Sequence, residues 1–172
     1  MGKLQTYALA ITLLLCPALP GFSQNSASAG MPVLHETQPA ISTQVANYAK
    51  SFLGTPYRLG ASGPRAFDCS SYTSYVFKHF GYDIPAYSKT QFHKGRPVQR
   101  YADLQVGDLV FFGKRAGARD IGHVGILVEK NEESGSFSFI HASVSKGVVI
   151  ESSNHPYFQL RYIGARRILP DE

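Results

Sequence analysis

Three side chains in this sequence have the chemistry for covalent attack on a carbonyl: the thiol of Cys69 and the imidazoles of His123 and His141. The stretch Phe67-Asp68-Cys69-Ser70-Ser71 follows a loop rich in Gly and Pro (Gly54, Pro56, Gly60, Gly63, Pro64). It runs into Tyr72 to Phe80, whose apolar residues recur at helical spacing before Gly81. Cys69 is therefore expected in the first turn of a helix, where unpaired N–H groups and the helix dipole bias a thiol toward the attacking thiolate. Such a nucleophile needs a base, and the base needs a third polar group to fix its tautomer. His123 fills the first role and His141 the second. The oxyanion of the tetrahedral intermediate would be met by backbone N–H groups at the start of the Cys69 helix, with Tyr57 as a hydroxyl donor.

Each residue also has a plainer reading: Cys69 as a packed small side chain, His123 as a buried strand histidine, His141 as a partly exposed strand end. A Cys/His/His metal site is the other alternative, but no Cys-x-x-Cys or His-x-x-x-His spacing occurs, and no metal or cofactor is expected. No role is assigned to His35, His79, His93 or His155.

The elements that must position these groups belong to a chain of 172 residues, 44% hydrophobic, with 17 basic against 12 acidic residues. That is the composition of one globular domain. The modest positive balance suits an anionic partner such as an acidic wall polymer, but the charges are scattered and no nucleic-acid motif is present. Arg161, Arg166 and Arg167 form the one dense cluster and read as a solvated terminal strand. Residues 1–23 read as a signal peptide: Lys3 begins it, an apolar run extends from Tyr7 to Leu19, and Gly21-Phe22-Ser23 offers a cleavage site. The run falls short of the roughly 20 residues that span a bilayer, so no stable membrane insertion is expected. Cys16 follows Leu13-Leu14-Leu15 rather than a small residue, which disfavours a lipid anchor. A monomeric, soluble exported protein, periplasmic or secreted, is the expectation. Cleavage would leave Cys69 as the lone thiol, unusual in an exported chain.

Residues 24–40 read as a flexible spacer and 41–170 as the folded domain. Val45, Tyr48, Ala49 and Phe52 fall at helical spacing, and Ser88 to Phe92 has room for one or two helical turns. Strands are expected at Leu109 to Phe112, His123 to Val128, Phe137 to His141, Gly147 to Glu151 and Leu160 to Leu169. The class is α+β, with N-terminal helices packed on a mainly antiparallel sheet of about five strands. The polar run Lys130 to Gly135 predicts a hairpin; a turn centred near Glu132 sets His123 opposite His141, with Cβ atoms roughly 5 Å apart on one face.

Asp68-Cys69-Ser70, Leu104 to Phe112, Gly122-His123-Val124-Gly125-Ile126 and Phe139-Ile140-His141-Ala142-Ser143 occur in the order found in NlpC/P60 cell-wall peptidases, which the chain resembles from Ile41 to Leu169. Gly54 to Gly60 and Arg166 to Leu169 look similar too. The resemblance implies a papain-like fold and a thiol protease acting on peptidoglycan stem peptides, commonly between D-glutamate and a diamino acid. It implies Cys69 as nucleophile, His123 as base, His141 as orienting residue and Tyr57 near the oxyanion, with Asp68, Ser70 and Ser88 completing the substrate and oxyanion side. Relatives that require a free amino terminus often carry Arg-Asp-Ser after the proline corresponding to Pro85. Here the run is Ala86-Tyr87-Ser88. Without that Asp, the expected substrate has an amino end that is blocked or still attached to glycan. The alternatives are a wall-binding module with a dead site, and an amidase or acyltransferase using the same Cys and His residues.

Overall fold

A computed structural model describes residues 38–171. The signal peptide and all but the last three residues of the spacer expected from sequence lie outside these residues.

Nearly continuous apolar runs in the central strands, with successive side chains pointing to opposite faces, build two cores, one on each face of a single six-stranded antiparallel sheet. The elements run α1 (Ile41–Lys50), α2 (Cys69–His79), α3 (Ser88–Gln91), β1 (Arg96–Val98), β2 (Leu109–Gly113), β3 (Ile121–Asn131), β4 (Ser136–Ser143), β5 (Gly147–Ser152), α4 (Pro156–Gln159) and β6 (Tyr162–Arg167). The strand order is β1-β6-β2-β3-β4-β5. Leu109, Phe111, Val124, Ile126 and Ile140 meet α1 and α2 on one face, while Val110, Phe112, Leu127, Phe139 and Ala165 pack around Phe158 of α4 on the other. Burial on both faces explains why Leu109-Val110-Phe111-Phe112 is a continuous apolar run. The α+β class and the helices-on-sheet architecture stand as expected.

The strand beyond the expected five is β1, Arg96-Pro97-Val98, a segment for which the sequence predicts no element. Proline cannot donate to a ladder, so it is confined to edges, and β1 is the edge strand, with Pro97 opposite Arg166.

The β3–β4 hairpin is longer than expected. Its strands continue through the polar residues Glu129, Lys130 and Asn131, and the turn occupies residues 132–135. The Tyr101 hydroxyl closes the ladder by donating to Asn131 O and Ser136 O. A bulge lies between Leu127 and Glu129, beyond which Ile126 pairs with Ile140. This register places residue 125, not His123, opposite His141, so the two histidines are diagonal rather than direct neighbours.

Candidate active site

Asp68 starts the site. Its extended backbone makes it the N-cap of α2, and its Oδ1 accepts from the Ser71 N–H at 2.7 Å, a favoured capping geometry. Its Oδ2 accepts from Gly60 N–H at 3.1 Å, tying the preceding loop to the helix. Cys69 is thereby the first residue of α2 and is half-buried. The helix is fixed from two sides. The buried Tyr72 hydroxyl donates to Ala49 O of α1 at 2.8 Å. On the other side, Gln91 of α3, fully buried, donates to Ser70 O and Pro85 O and accepts from the Thr73 hydroxyl.

Tyr57 is brought in by the strand-like bridge between its segment and Phe67. Phe67 N–H donates to Pro56 O at 3.1 Å, and Arg58 N–H donates to Phe67 O at 2.9 Å. Gly147, at φ +71°, makes this possible, because a Cβ there would lie 2.4 Å from Thr55 O. Burial, then the charges of Cys69 and Asp68, push the Tyr57 phenol up, so it stays a hydrogen-bond donor next to the thiol.

His123 lies just after a register shift against β2, where Phe112 pairs with His123 and Gly113 with Ile121. Bulges of this kind re-aim side chains beside sites. The ring turns toward β4, and its Nε2 lies 2.7 Å from His141 Nδ1 with the two rings perpendicular. Residue 125 lies between them and is glycine: a Cβ there would come within 3.2 Å of His141 Cβ. Phe112, Phe139 and Phe158 surround the pair. This apolar enclosure depresses the His123 imidazole to about 3, with His141 adding to the effect, and burial also lowers His141 against the opposing pull of Glu151.

Cys69 meets β3 at Val124, the residue after His123, whose backbone N–H turns toward the sulfur together with those of Ser70 and Cys69 itself. These groups favour the thiolate as the sequence suggests, but burial and then the Asp68 carboxylate raise the thiol by more than they lower it. The resting pair is therefore a neutral thiol and a neutral imidazole, not the thiolate expected from the helix terminus alone.

The other expected site residues are less directly placed. Asp68 is committed to capping, and the buried Ser70 hydroxyl donates to Asp68 Oδ1 and Ala86 O, both at 3.3 Å. Ser88 is buried at the start of α3. Reading residues singly missed Gln91, and it missed Glu151, whose Oε2 lies 2.8 Å from His141 Nε2. The signal for Glu151 was an acid in the apolar run Val148-Val149-Ile150-Glu151. His155, given no role, lines a cavity of about 330 Å³ with His123, His141, Lys146, Glu151 and Tyr157. Arg167 is not solvated: it is 7% exposed and grips the buried Asp108 through two 2.8 Å bonds. Among the described residues, no group of three or more His, Cys, Asp or Glu is placed to hold a metal ion, and no helix is long and apolar enough to cross a membrane.

The chain is 38% identical over 130 residues to the Escherichia coli K12 protein named murein DD-endopeptidase MepS/murein LD-carboxypeptidase, covering 75% of this chain and 64% of that one. This chain thus spans somewhat under two thirds of that curated relative. An NlpC/P60 family protein from Bacillus cereus superposes with a TM-score of 0.68 at 34% identity, over 77% of this chain and 41% of the other. RipD from Mycobacterium tuberculosis, described as a non-catalytic NlpC/p60 domain protein adapted to peptidoglycan binding, shares the fold at a TM-score of 0.59 and 20% identity, over 76% of this chain and 99% of its own. The NlpC/P60 family model matches residues 54–167. With the fold, the site and these likenesses in agreement, this chain belongs to the NlpC/P60 family.

Proposed function

We propose that the protein is an exported cysteine peptidase hydrolysing a peptide bond within peptidoglycan stems, with residues 1–23 as signal peptide, 24–40 as spacer and 41–170 as catalytic domain. The observation that carries the reading is a helix-terminal thiol set against the strand of an imidazole whose Nε2 is engaged by a second histidine. That engagement leaves His123 Nδ1 as the ring nitrogen available to the thiol.

Cys69 is the nucleophile. Its sulfur bonds to the carbonyl carbon as its proton passes to His123 Nδ1, and the carbonyl π electrons move onto oxygen. Backbone N–H groups at the start of α2 and the Tyr57 hydroxyl meet that oxyanion. Collapse breaks the C–N bond, and the proton on His123 leaves with the amine. Water then attacks the thioester, gives a proton to His123, and the thiol is restored as the acid departs. Because both partners rest neutral, proton transfer accompanies attack instead of preceding it. His141 holds the ring throughout.

Two bonds are in contention. The family resemblance favours D-glutamyl to diamino acid, whereas the name of the Escherichia coli relative favours a bond reaching a D-amino acid. Mass analysis of muropeptides digested by wild type and by Cys69→Ala separates them. Fragments ending in D-glutamate mark the first bond, and release of D-alanine or resolution of cross-linked dimers marks the second. Binding without new fragments would make the chain a wall-binding module like RipD and end the enzymatic reading.

A further inference from the structure

The line of hydrogen bonds from His123 does not end at His141. Glu151 Oε2 lies 2.8 Å from His141 Nε2, and Glu151 Oε1 accepts from Lys146 Nζ at 2.7 Å. Val149 is the cross-strand partner of His141, so Glu151, two residues further along β5, reaches the ring diagonally. We propose that Glu151, anchored by Lys146, is a positioning residue that sets the order of protons through both histidines and so selects Nδ1 of His123 as the base for Cys69. The inference rests on the cysteine-hydrolase reading.

The order follows from what each group is able to donate. An ionised carboxylate only accepts, so the hydrogen of neutral His141 lies on Nε2. His141 Nδ1 is then bare and accepts from Nε2–H of His123. The single hydrogen of His123 is used there, and its Nδ1 keeps the lone pair. A donor in place of Glu151 reverses every step and leaves an N–H facing the thiol. Burial disfavours the Glu151 carboxylate, but hydrogen bonds from Lys146 and His141 outweigh it and keep its pKa below the ordinary carboxyl value. Burial also holds both histidines in the neutral form that the argument requires. His155, at the start of α4, and Tyr157 are the other titratable side chains lining this cavity.

Lys146 supplies an unusually specific test. In Glu151→Gln, the ammonium of Lys146 only donates, so the amide oxygen must face it and the amide NH2 must face His141. The proton order then inverts. In Glu151→Gln combined with Lys146→Met, the amide is free to rotate and present its oxygen to His141, which restores the order. Turnover of purified muropeptides should fall on the order of 100-fold in kcat for Glu151→Gln with KM little changed, and recover by at least tenfold in the double variant. Nitrogen-15 spectra of histidine-labelled protein in a Cys69→Ala background report the tautomers without needing activity. They should show Nε2–H on His123 and His141 with Glu151 present, and Nδ1–H on both in Glu151→Gln. Unchanged tautomers, or a kcat loss that the double variant does not relieve, would overturn the proposal. If the wild type hydrolyses no muropeptide, the hydrolase reading fails, while the spectra still decide whether Glu151 sets the proton order.

Discussion

Substituting Gly125 by alanine should cost activity out of proportion to its single added methyl. A Cβ at this position would lie 2.7 Å from Phe139 Cδ2, 2.9 Å from Ile140 O and 3.2 Å from His141 Cβ. The Ile140 contact is backbone, and Phe139 is fully buried, so neither yields without moving β4. Relief of several tenths of an ångström must be taken up where His123 Nε2 meets His141 Nδ1 at 2.7 Å. Overpacking of this kind costs about 1–3 kcal/mol of stability. Misplacing a catalytic group by about 1 Å costs on the order of 100-fold in rate, so a displacement of about half that should cost roughly tenfold or more. Gly135→Ala is the control: its φ of +61° makes alanine strained, but nothing lies within 4 Å and it sits in the distant hairpin turn. Both variants should lose a comparable amount in urea unfolding, about 1 kcal/mol or more, but only Gly125→Ala should lose kcat on muropeptides. Equal kcat in the two variants would refute the claim that the His123–His141 geometry depends on the missing side chain.

Acid should destabilise the fold well above the carboxyl range. Unfolded His123 titrates near its ordinary 6.5 but its folded value is about 3, so below pH 6.5 the unfolded chain binds a proton that the native state refuses. The stability is complete above pH 6.5 and declines as pH falls toward 3, by ~1.4 kcal/mol per pH unit for this residue. Urea melts at pH 7, 6 and 5 should approach that slope between pH 6 and 5, and His123→Gln should remove the share of His123, leaving that of His141, which burial also lowers. Asp108→Asn should cost up to about 3 kcal/mol in the same melts by removing the buried one of Arg167's two carboxylate partners and leaving it only the exposed Asp171 at 3.1 Å, with KM unaltered. Tyr57→Phe should lower kcat about 100-fold with little change in KM if its hydroxyl meets the oxyanion, and a rate within threefold of wild type would remove it from that role.

Local signals carried much of the fold. A Gly- and Pro-rich loop before an apolar helical repeat announced α2, and the apolar run Leu109 to Phe112 with the two runs flanking the polar stretch Lys130 to Gly135 announced the sheet. Individual strand ends were harder because Glu129, Lys130 and Asn131 are polar yet continue the ladder, and one bulge moves the register. The histidines still meet, through a diagonal that the sequence could not distinguish from a direct pair. The neutral state of the thiol was hidden because it depends on burial, which the helix-terminus argument leaves out. Arg167 misled for the opposite reason: a charge cluster reads as solvated until its partner is found, and Asp108 lies 59 residues away in sequence. Gln91 gave no signal, because it holds Ser70 from 21 residues away, whereas Glu151 was marked by its place in an apolar run and lies ten residues from His141, on the next strand.

The central claim is that Cys69 becomes covalently acylated during turnover. Acid quenching of wild-type protein mixed with muropeptide, followed by mass analysis of the peptide containing Cys69, tests it directly. The expected result is an added mass equal to the acyl half of the cleaved stem, attached to Cys69, and complete loss of hydrolysis in Cys69→Ala. Undiminished cleavage by Cys69→Ala, with Cys69 unmodified in the turning-over wild type, would contradict it.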